Sequence, residues 1–228
     1  MCKTKRAFTV SVEGNIGSGK TTFLSTFCPE SDDVDVLPEP VERWQNVRGH
    51  NLLALMYEDP ARYAFLFQMY VQLTMLEYHE RPCAKIAKIL ERSLPRMCFI
   101  EQLRSRGNIS DAEHAVITEW NDYLLPQHDL AVDVVIYLRT SPEVAYNRIL
   151  ARNREEEAQI TFEQVSQLHE LHEEWLIEKR LFQTPSKVIV IEADGDLESL
   201  QPIYEEHKNN ILEMAIEAME QSLPVLDE

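Results

Sequence analysis

The stretch GNIGSGKT, residues 14–21, decides the fold of this 228-residue chain. It fits the pattern G-x-x-x-x-G-K-[ST], follows the strand-like run FTVSVE directly and opens a segment with helical spacing. Its glycines let backbone N–H groups turn inward around an anion, Lys20 reaches the outer phosphates, and the hydroxyl of Thr21 can bind Mg²⁺. The pattern therefore predicts a site for a nucleoside triphosphate rather than a plain glycine-rich turn.

Five apolar, strand-like runs alternate with longer segments of helical spacing. They occupy residues 8–12, 34–37, 97–100, 134–138 and 188–191. This alternation predicts an α/β fold, with parallel strands joined by right-handed helical crossovers and helices on both faces of the sheet. We expect a single domain over residues 1–228, with its core in residues 7–195 and an acidic C-terminal helix and tail in residues 196–228.

The charge balance argues against whole classes of partner. The chain contains 39 Asp and Glu residues and 22 Lys and Arg residues, which gives a formal net charge of −17. Because such a field repels polyanions, we expect no nucleic-acid polymer and no membrane as partner. The N-terminus shows no transit peptide, which predicts a cytoplasmic location and leaves mitochondrion and nucleus open. Four cysteines without metal-ligand spacing are expected to be reduced thiols: Cys2, Cys28, Cys83 and Cys98.

Two charged stretches are expected in the crevice at the carboxyl ends of the strands, where ligands bind in such sheets. The run VDVL leads into Glu39, and the proline that follows holds Glu39 extended, as a general base must be held. The sequence ERS, residues 91–93, lies just before the predicted strand MCFIE. Arg92 could hold a transferring phosphoryl group, and Glu91 could complete a Mg²⁺ shell. A solvated carboxylate and a surface ion pair are the alternatives.

Arginines cluster where a predicted helix passes into the charged loop RNREEEAQI. A closing loop that bears arginines expels water from a phosphoryl-transfer site. Arg148, Arg152 and Arg154 therefore predict a mobile lid, the alternative being a merely charged helix end.

Two further helical segments carry notable polar residues. Residues 61–78 are apolar nearly all round, so Gln68 and Gln72 are conspicuous there, because a buried amide is costly without partners. The segment HELHEEW places His169 and His172 on one face but departs from the H-E-x-x-H metal pattern. It predicts an ordinary structural face.

Several motifs occur together and in a fixed order. EGNIGSGKTT is followed by EPVERW, NLLALMY, QMYVQLTML, ERS, VVIYLRTSPEVAYNRI, RNREEE and ELHEEWLI. In this combination the chain resembles the deoxyribonucleoside kinase family over about residues 7–195, especially its insect multisubstrate and animal mitochondrial thymidine kinase branches. The resemblance implies a P-loop kinase fold, with a five-stranded parallel sheet, helices on both faces and an arginine-bearing lid, in a homodimer.

The resemblance implies a transferase that uses ATP with Mg²⁺ to phosphorylate the 5′-hydroxyl of deoxyribonucleosides in salvage. Thymidine and deoxycytidine are the expected acceptors, with purine deoxynucleosides as further candidates. It makes Glu39 the base that takes the 5′-hydroxyl proton, Arg92 the group that steadies it, and Lys20 the holder of the donor phosphates. Thr21 and Glu91 would surround the metal ion. The residues expected to bind ATP are Gly14, Asn15, Ile16, Gly17, Ser18, Gly19, Lys20, Thr21, Thr22, Arg152 and Arg154.

The resemblance also assigns the acceptor pocket. Tyr57 and Glu157 would hold the sugar 3′-hydroxyl, with Glu156 as the alternative if the register slips by one residue. Gln68 would pair bidentately with the base, which supplies the partners that its amide needs. The pocket around the base would be lined by Trp44, Val71, Met75 and Phe99. Phe99 would stack on the ring.

The chain departs from the family pattern after ERS. The family has a slightly longer loop there, whereas this sequence reads SLPRMCF. Arg96 then takes the place of the family's arginine and Pro95 that of a pocket residue. We hypothesise an altered base preference or a weakened activity.

Two other functions stay open from the sequence. A thymidylate-type nucleoside monophosphate kinase shares the phosphate loop, the sheet and the lid, but it needs extra cationic groups for the acceptor phosphate. The base Glu39 favours a hydroxyl acceptor, because a phosphate oxygen needs no deprotonation. A catalytically weak nucleotide-binding paralogue would bind ATP without turnover, and the shortened loop is compatible with it.

Overall fold

The computed structural model describes residues 6–27, 33–94, 97–128, 130–183 and 187–221. The strands are β1 Phe8–Glu13, β2 Val34–Leu37, β3 Ala87–Glu91, β4 Val134–Arg139 and β5 Lys187–Glu192. The α-helices are α1 Lys20–Ser25, α2 Val41–Gln45, α3 Leu52–Glu58, α4 Pro60–Glu80, α5 Met97–Ser105, α6 Asp111–Gln127, α7 Pro142–Arg152, α8 Phe162–His172 and α9 Leu197–Glu220. Within these ranges the strands form one sheet of order β2-β3-β1-β4-β5, in which all neighbours are parallel. The predicted α/β class with a five-stranded parallel sheet is confirmed.

Both faces of the sheet are covered, because alternate residues of a strand point to opposite sides. On β4, Ile136 belongs to a buried cluster with Phe23 of α1 and Tyr204 of α9. Its neighbour Tyr137 belongs to a different cluster, with Trp175, which follows α8. The central strand β1 lies between β3 and β4. From β1 the chain continues to β2 on one side of the sheet, and from β3 it crosses to β4 on the other side of β1. The crevice lies at the carboxyl ends of the strands, at this change of direction.

The third strand does not lie where the sequence analysis placed it. Residues 97–100 form the first turn of α5, and the strand is Ala87–Glu91, all five residues of which are buried. The apolar pattern of this strand is interrupted by Lys88, whose ammonium donates to backbone carbonyls at the end of α4, among them that of His79 at 2.8 Å. Carbonyls at a helix C-terminus attract cations, so a lysine fits inside this strand. The sequence ERS therefore begins at the last residue of β3 instead of preceding a strand.

The acidic C-terminal helix α9 packs on the sheet. Its Tyr204 and Ile211 are buried in the cluster that includes β1 and α1. The ring of Tyr204 meets that of Phe23 edge-on, with centroids 5.1 Å apart. The helix is therefore part of the core. Among the residues described, none of the helices has the length and hydrophobicity that crossing a bilayer requires.

Candidate active site

The phosphate loop joins β1 to α1 at the carboxyl edge of the sheet. Gly14 and Gly17 have φ angles of 144° and 78°, which residues with a side chain rarely adopt. A Cβ at Gly17 would lie 2.4 Å from the backbone oxygen of Ala145, and one at Gly14 would lie 2.8 Å from that of Leu138. The loop therefore needs glycine at both positions, because it packs directly against α7 and β4.

Lys20, the first residue of α1, is buried with its ammonium turned onto the loop. Its Nζ donates to the carbonyl of Gly14 at 3.2 Å and to that of Asn15 at 2.7 Å. Burial and then the nearby Arg92 lower the pKa of Lys20 to about 7, although Glu91 opposes the shift. A bound polyphosphate would supply the negative charge that this ammonium needs.

Thr21 and Glu91 bring oxygen atoms together beside the loop. The hydroxyl of Thr21 lies 3.2 Å from each carboxylate oxygen of Glu91, which ends β3. Mg²⁺ prefers oxygen ligands and is usually bound by one or two carboxylates together with substrate phosphates and water. The chemistry of this pair fits a Mg²⁺ ion that arrives with the donor phosphates.

Glu39 and Arg92 form an ion pair in the crevice. Arg92 Nη1 lies 2.7 Å from Glu39 Oε2, and Nη2 donates to the carbonyl of Gly14 at 3.2 Å. The guanidinium carbon stands 4.7 Å from the centroid of the Phe99 ring. Burial alone would lower the pKa of Arg92, but the carboxylates of Glu39 and Glu91 raise it above its ordinary value. Arg92 is therefore a fixed positive charge between the predicted base, the phosphate loop and the predicted stacking ring.

Glu13, the residue that ends β1, belongs to the site but is not among the predicted site residues. Its Oε1 accepts hydrogen bonds from the backbone N–H of Ser93 at 2.8 Å and from the Ser93 hydroxyl at 2.7 Å. These bonds hold the turn after β3, in which Arg92 has a φ angle of 65°, an uncommon value for a residue with a side chain. An acidic residue at the end of a buried strand, directly before the glycine loop, is the signal in the sequence that points to it.

A cavity of about 450 Å³ extends from the phosphate loop into the acceptor side of the crevice, and Glu39, Glu91 and Arg92 line it. Its other predicted lining residues on the phosphate side are Asn15, Ile16, Gly17, Lys20 and Thr21. Those on the acceptor side are Trp44, Tyr57, Gln68, Phe99 and Glu157. The remaining predicted ATP-binding residues of the loop and of α1 do not line it: Gly14, Ser18, Gly19 and Thr22.

The lining of the cavity differs from the predicted base pocket in two respects. Val71 and Met75 do not line it but are wholly buried in the core, about one and two turns beyond Gln68 on α4. The lining of the cavity therefore does not support their predicted contact with the base. Lining residues that the sequence analysis did not find include Leu53, Met56, Phe67, Gln102 and Leu103.

Gln68 and Gln72, which both looked misplaced in an apolar helix, differ in their partners. Gln68 is only 3% exposed and lines the cavity, and its amide has no hydrogen bond to any residue that the structure describes. Gln72 Nε2 donates to Oδ1 of Asn121 on α6 at 3.3 Å. The amide of Gln68 thus borders the cavity, whereas that of Gln72 joins two helices.

The lid arginines bind a glutamate of the lid itself. Arg152 Nη2 lies 2.5 Å from Glu157 Oε2, and Arg154 Nη1 lies 2.9 Å from Glu157 Oε1. All three side chains line the cavity, whereas Glu156 does not. The structure therefore has the register in which Glu157, and not Glu156, faces the site.

Arg148 lies apart from the other two arginines, contrary to the prediction. Its guanidinium donates to the carbonyls of Ala193 at 2.9 Å and Gly195 at 2.6 Å, in the connection between β5 and α9. It does not line the cavity. Its position on α7 directs it to this connection, so it serves the fold rather than the lid.

In the segment HELHEEW, His172 is buried and packs on neighbouring elements. His172 Nδ1 lies 2.6 Å from the carbonyl oxygen of Leu168, and the ring stacks on that of Tyr137 with centroids 5.9 Å apart. Burial lowers the pKa of His172 to about 3, so the ring is neutral. In the described ranges no three or more His, Cys, Asp or Glu side chains group as a metal site would require.

Two predictions concern residues outside the described ranges. One is that the loop after ERS substitutes for residues of the family pattern, and the other is that two of the four cysteines are reduced thiols. The residues in question are Pro95, Arg96, Cys2 and Cys28. Cys83 and Cys98 are described and are free thiols.

Comparison with known proteins adds an independent finding. The family model for deoxynucleoside kinase matches residues 10–217. The protein named "Thymidine kinase 2, mitochondrial" from Homo sapiens is 46% identical over 205 residues, which cover 89% of this chain and 77% of that protein. "Deoxycytidine kinase" from Rattus norvegicus is 34% identical over 218 residues, covering 83% of this chain and 84% of that protein. "Deoxycytidine kinase 2" from Gallus gallus is 34% identical over 203 residues, which cover 78% of this chain and 77% of that protein.

Proposed function

Because the chain belongs to the deoxynucleoside kinase family, we propose that it transfers the terminal phosphoryl group of ATP to the 5′-hydroxyl of thymidine and deoxycytidine. Family membership makes it an enzyme that phosphorylates deoxynucleosides in salvage, and it decides against a thymidylate-type monophosphate kinase. The observation that carries the finer proposal is the ion pair of Glu39 and the buried Arg92 beside the phosphate loop. A hydroxyl acceptor needs such a base, whereas a phosphate acceptor does not.

The proposed reaction moves one proton and one phosphoryl group. Glu39 accepts the proton of the 5′-hydroxyl. The 5′-oxygen of the nucleoside forms a bond to the terminal phosphorus of ATP, and the bond between that phosphorus and ADP breaks. Arg92, 2.7 Å from Glu39, orients the carboxylate and neutralises the oxygens of the group in transit. Lys20 holds the donor phosphates from the loop, and Arg152 and Arg154 hold them from the lid.

Thr21 and Glu91 would hold a Mg²⁺ ion next to the donor. Their oxygen atoms lie 3.2 Å apart, on the carboxyl side of β3 and at the start of α1. The ion would neutralise charge on the donor phosphates. The chain's own contribution is to fix two oxygen ligands at the end of the loop.

The acceptor pocket offers a group for each part of a deoxyribonucleoside. Gln68 presents a donor and an acceptor, and rotation of its amide suits the edge of thymine as well as that of cytosine. Phe99 stacks on the base, and Tyr57 and Glu157 hold the 3′-hydroxyl. The printed names of the human and rat relatives, a thymidine kinase and a deoxycytidine kinase, support both pyrimidine acceptors. Purine deoxynucleosides are further candidates.

We also propose that the enzyme is a homodimer that associates through α4 and α6. The two helices are joined by the hydrogen bond between Gln72 and Asn121. Their exposed apolar side chains are Leu66 and Leu73 on α4 and Val116, Trp120 and Tyr123 on α6. A patch of this kind marks an interaction surface, and a second copy would cover it. Sedimentation of the purified protein at the mass of a monomer would contradict this proposal.

The cytoplasmic location stays a prediction. The human relative is named as mitochondrial, so that compartment is the competing one. Imaging of the fluorescently labelled protein in its own cells distinguishes the two.

A coupled assay tests the proposed reaction. With ATP and Mg²⁺, the wild-type protein should phosphorylate thymidine and deoxycytidine and leave their monophosphates unchanged. Glu39→Gln should lower kcat by roughly 10²–10⁴-fold, the usual contribution of a general base. The matched control Glu42→Gln, an exposed residue of the adjacent helix α2, should keep the rate. Turnover of monophosphates alone, or a full rate in Glu39→Gln, would contradict the proposal.

A further inference from the structure

The lid carries three consecutive glutamates, which lie in three different surroundings. Glu155 is exposed, Glu156 is half-buried and Glu157 is buried. All three belong to one short 3₁₀ turn between α7 and α8. Glu157 faces the cavity, whereas Glu156 faces α2 and α3. Adjacent residues of one turn thus contact two different parts of the molecule.

Glu156 accepts hydrogen bonds from both helices on the acceptor side. Its Oε1 lies 2.7 Å from Nε2 of Gln45, which ends α2, and 3.4 Å from Nδ2 of Asn51, which caps α3. The side-chain oxygen of Asn51 accepts from the backbone N–H of Ala54 at 2.9 Å, so its nitrogen remains to donate to Glu156. A backbone hydrogen bond and the amide of Gln45 lower the pKa of Glu156, as expected of a carboxylate held in place.

The helices that Glu156 contacts carry part of the acceptor pocket. Trp44 lies on α2 and Tyr57 on α3, and both line the cavity. On the lid, the residue next to Glu156 is Glu157, which lines the same cavity. The contact made by Glu156 therefore restricts how far Glu157 can move from Tyr57.

We propose that Glu156 is a positioning residue for the sugar of the acceptor. Glu156 accepts hydrogen bonds from Gln45 and Asn51 and so holds the lid against α2 and α3. It thereby sets the separation of Tyr57 and Glu157 and the strength with which they bind the 3′-hydroxyl. This inference rests on the proposed function, because it takes that pair as the ligands of the sugar. Glu156 is not part of the cavity lining, so it acts through its neighbours and not on the substrate.

A substrate without the 3′-hydroxyl separates positioning from general damage. Glu156→Ala should lower kcat/KM for thymidine by about tenfold, the loss expected for one charged hydrogen-bonding contact. For 2′,3′-dideoxythymidine it should leave kcat/KM within about twofold of the wild-type value. The matched control Glu155→Ala removes an exposed carboxylate from the same turn and should change neither value. Glu156→Gln keeps an acceptor oxygen and should recover most of the loss.

A second variant keeps the test decisive if Glu156→Ala does not fold, which thermal unfolding of the same samples reveals. Gln45→Ala should reproduce the selective loss for thymidine. The double variant Gln45→Ala/Glu156→Ala should lose little more than either single variant, because both substitutions remove the same hydrogen bond. Equal losses for thymidine and dideoxythymidine, or an unchanged value for thymidine, would overturn the positioning role. A wild-type protein that phosphorylates neither nucleoside would instead overturn the proposed function.

Discussion

Binding of the donor above neutral pH should take up a proton at Lys20. In the free protein the pKa of Lys20 is lowered to about 7, first by burial and then by Arg92. A bound polyphosphate places negative charge beside the ammonium, which stabilises the charged form and raises the pKa again. At a pH above 7, binding of ATP is therefore linked to protonation of this side chain.

The size of the effect follows from that pKa. One pH unit above a pKa of about 7, the group is about nine-tenths deprotonated, so that each binding event at pH 8 should take up about 0.9 proton. The uptake should be about 0.5 proton at pH 7 and about 0.1 proton at pH 6. Because uptake means that bound protein holds more protons than free protein, the apparent affinity for the donor should fall as the pH rises from 7 to 9. The decrease in apparent affinity should approach about tenfold per pH unit.

Calorimetric titration with a non-hydrolysable ATP analogue and Mg²⁺ measures the uptake. The observed binding enthalpy varies with the ionisation enthalpy of the buffer, and the slope of that variation gives the number of protons. Lys20→Arg keeps the positive charge on a group that does not titrate in this range, so it should abolish the uptake at pH 8. Lys187→Arg, at an exposed position of β5, should leave it unchanged. A slope of zero for the wild type at pH 8 would refute the low pKa of Lys20.

Two further substitutions test the surroundings of the site. Glu13→Ala removes the oxygen that accepts from the backbone N–H and the hydroxyl of Ser93, so the free energy of unfolding should fall by about 1–3 kcal/mol. The kcat should fall with it, and an unchanged kcat would show that Arg92 does not depend on Glu13. Gln68→Leu removes the amide that faces the cavity and should raise KM for thymidine and deoxycytidine by about tenfold or more, with a smaller change in kcat. Unchanged KM values for both would contradict a contact between Gln68 and the base.

The phosphate loop could be predicted because its conformation and its chemistry are encoded within a few consecutive residues. Gly17 must be glycine where it is, and Lys20 follows three residues later at the start of a helix. The third strand could not be found in this way. Lys88 interrupts its apolar pattern, and the partners that make this lysine acceptable are carbonyls at the end of another element. A local pattern contains no information about them.

The direction of side chains on a buried helix was a second limit. Residues 61–78 are apolar nearly all round, so periodicity does not reveal which of their faces borders a cavity. Gln68 faces the cavity, and Val71 and Met75 face the core, although they lie within two turns of it. Likewise, Arg148 and Arg152 stand one turn apart on α7, yet Arg148 is bound to backbone carbonyls and Arg152 to the lid glutamate. Tertiary packing decides these directions.

The net charge of −17 says little about the field at the site. Cationic side chains of the site lie close to carboxylates: Lys20, Arg92, Arg152 and Arg154 lie with Glu13, Glu39, Glu91 and Glu157. If Arg152 and Arg154 hold the donor phosphates as proposed, the phosphates must compete with Glu157, because both arginines are bound to that carboxylate in the free protein. On the proposed function, phosphates that draw these arginines away release Glu157 for the 3′-hydroxyl of the nucleoside. On the proposed function, this pair of arginines would link occupancy of the donor site to the binding of the sugar hydroxyl.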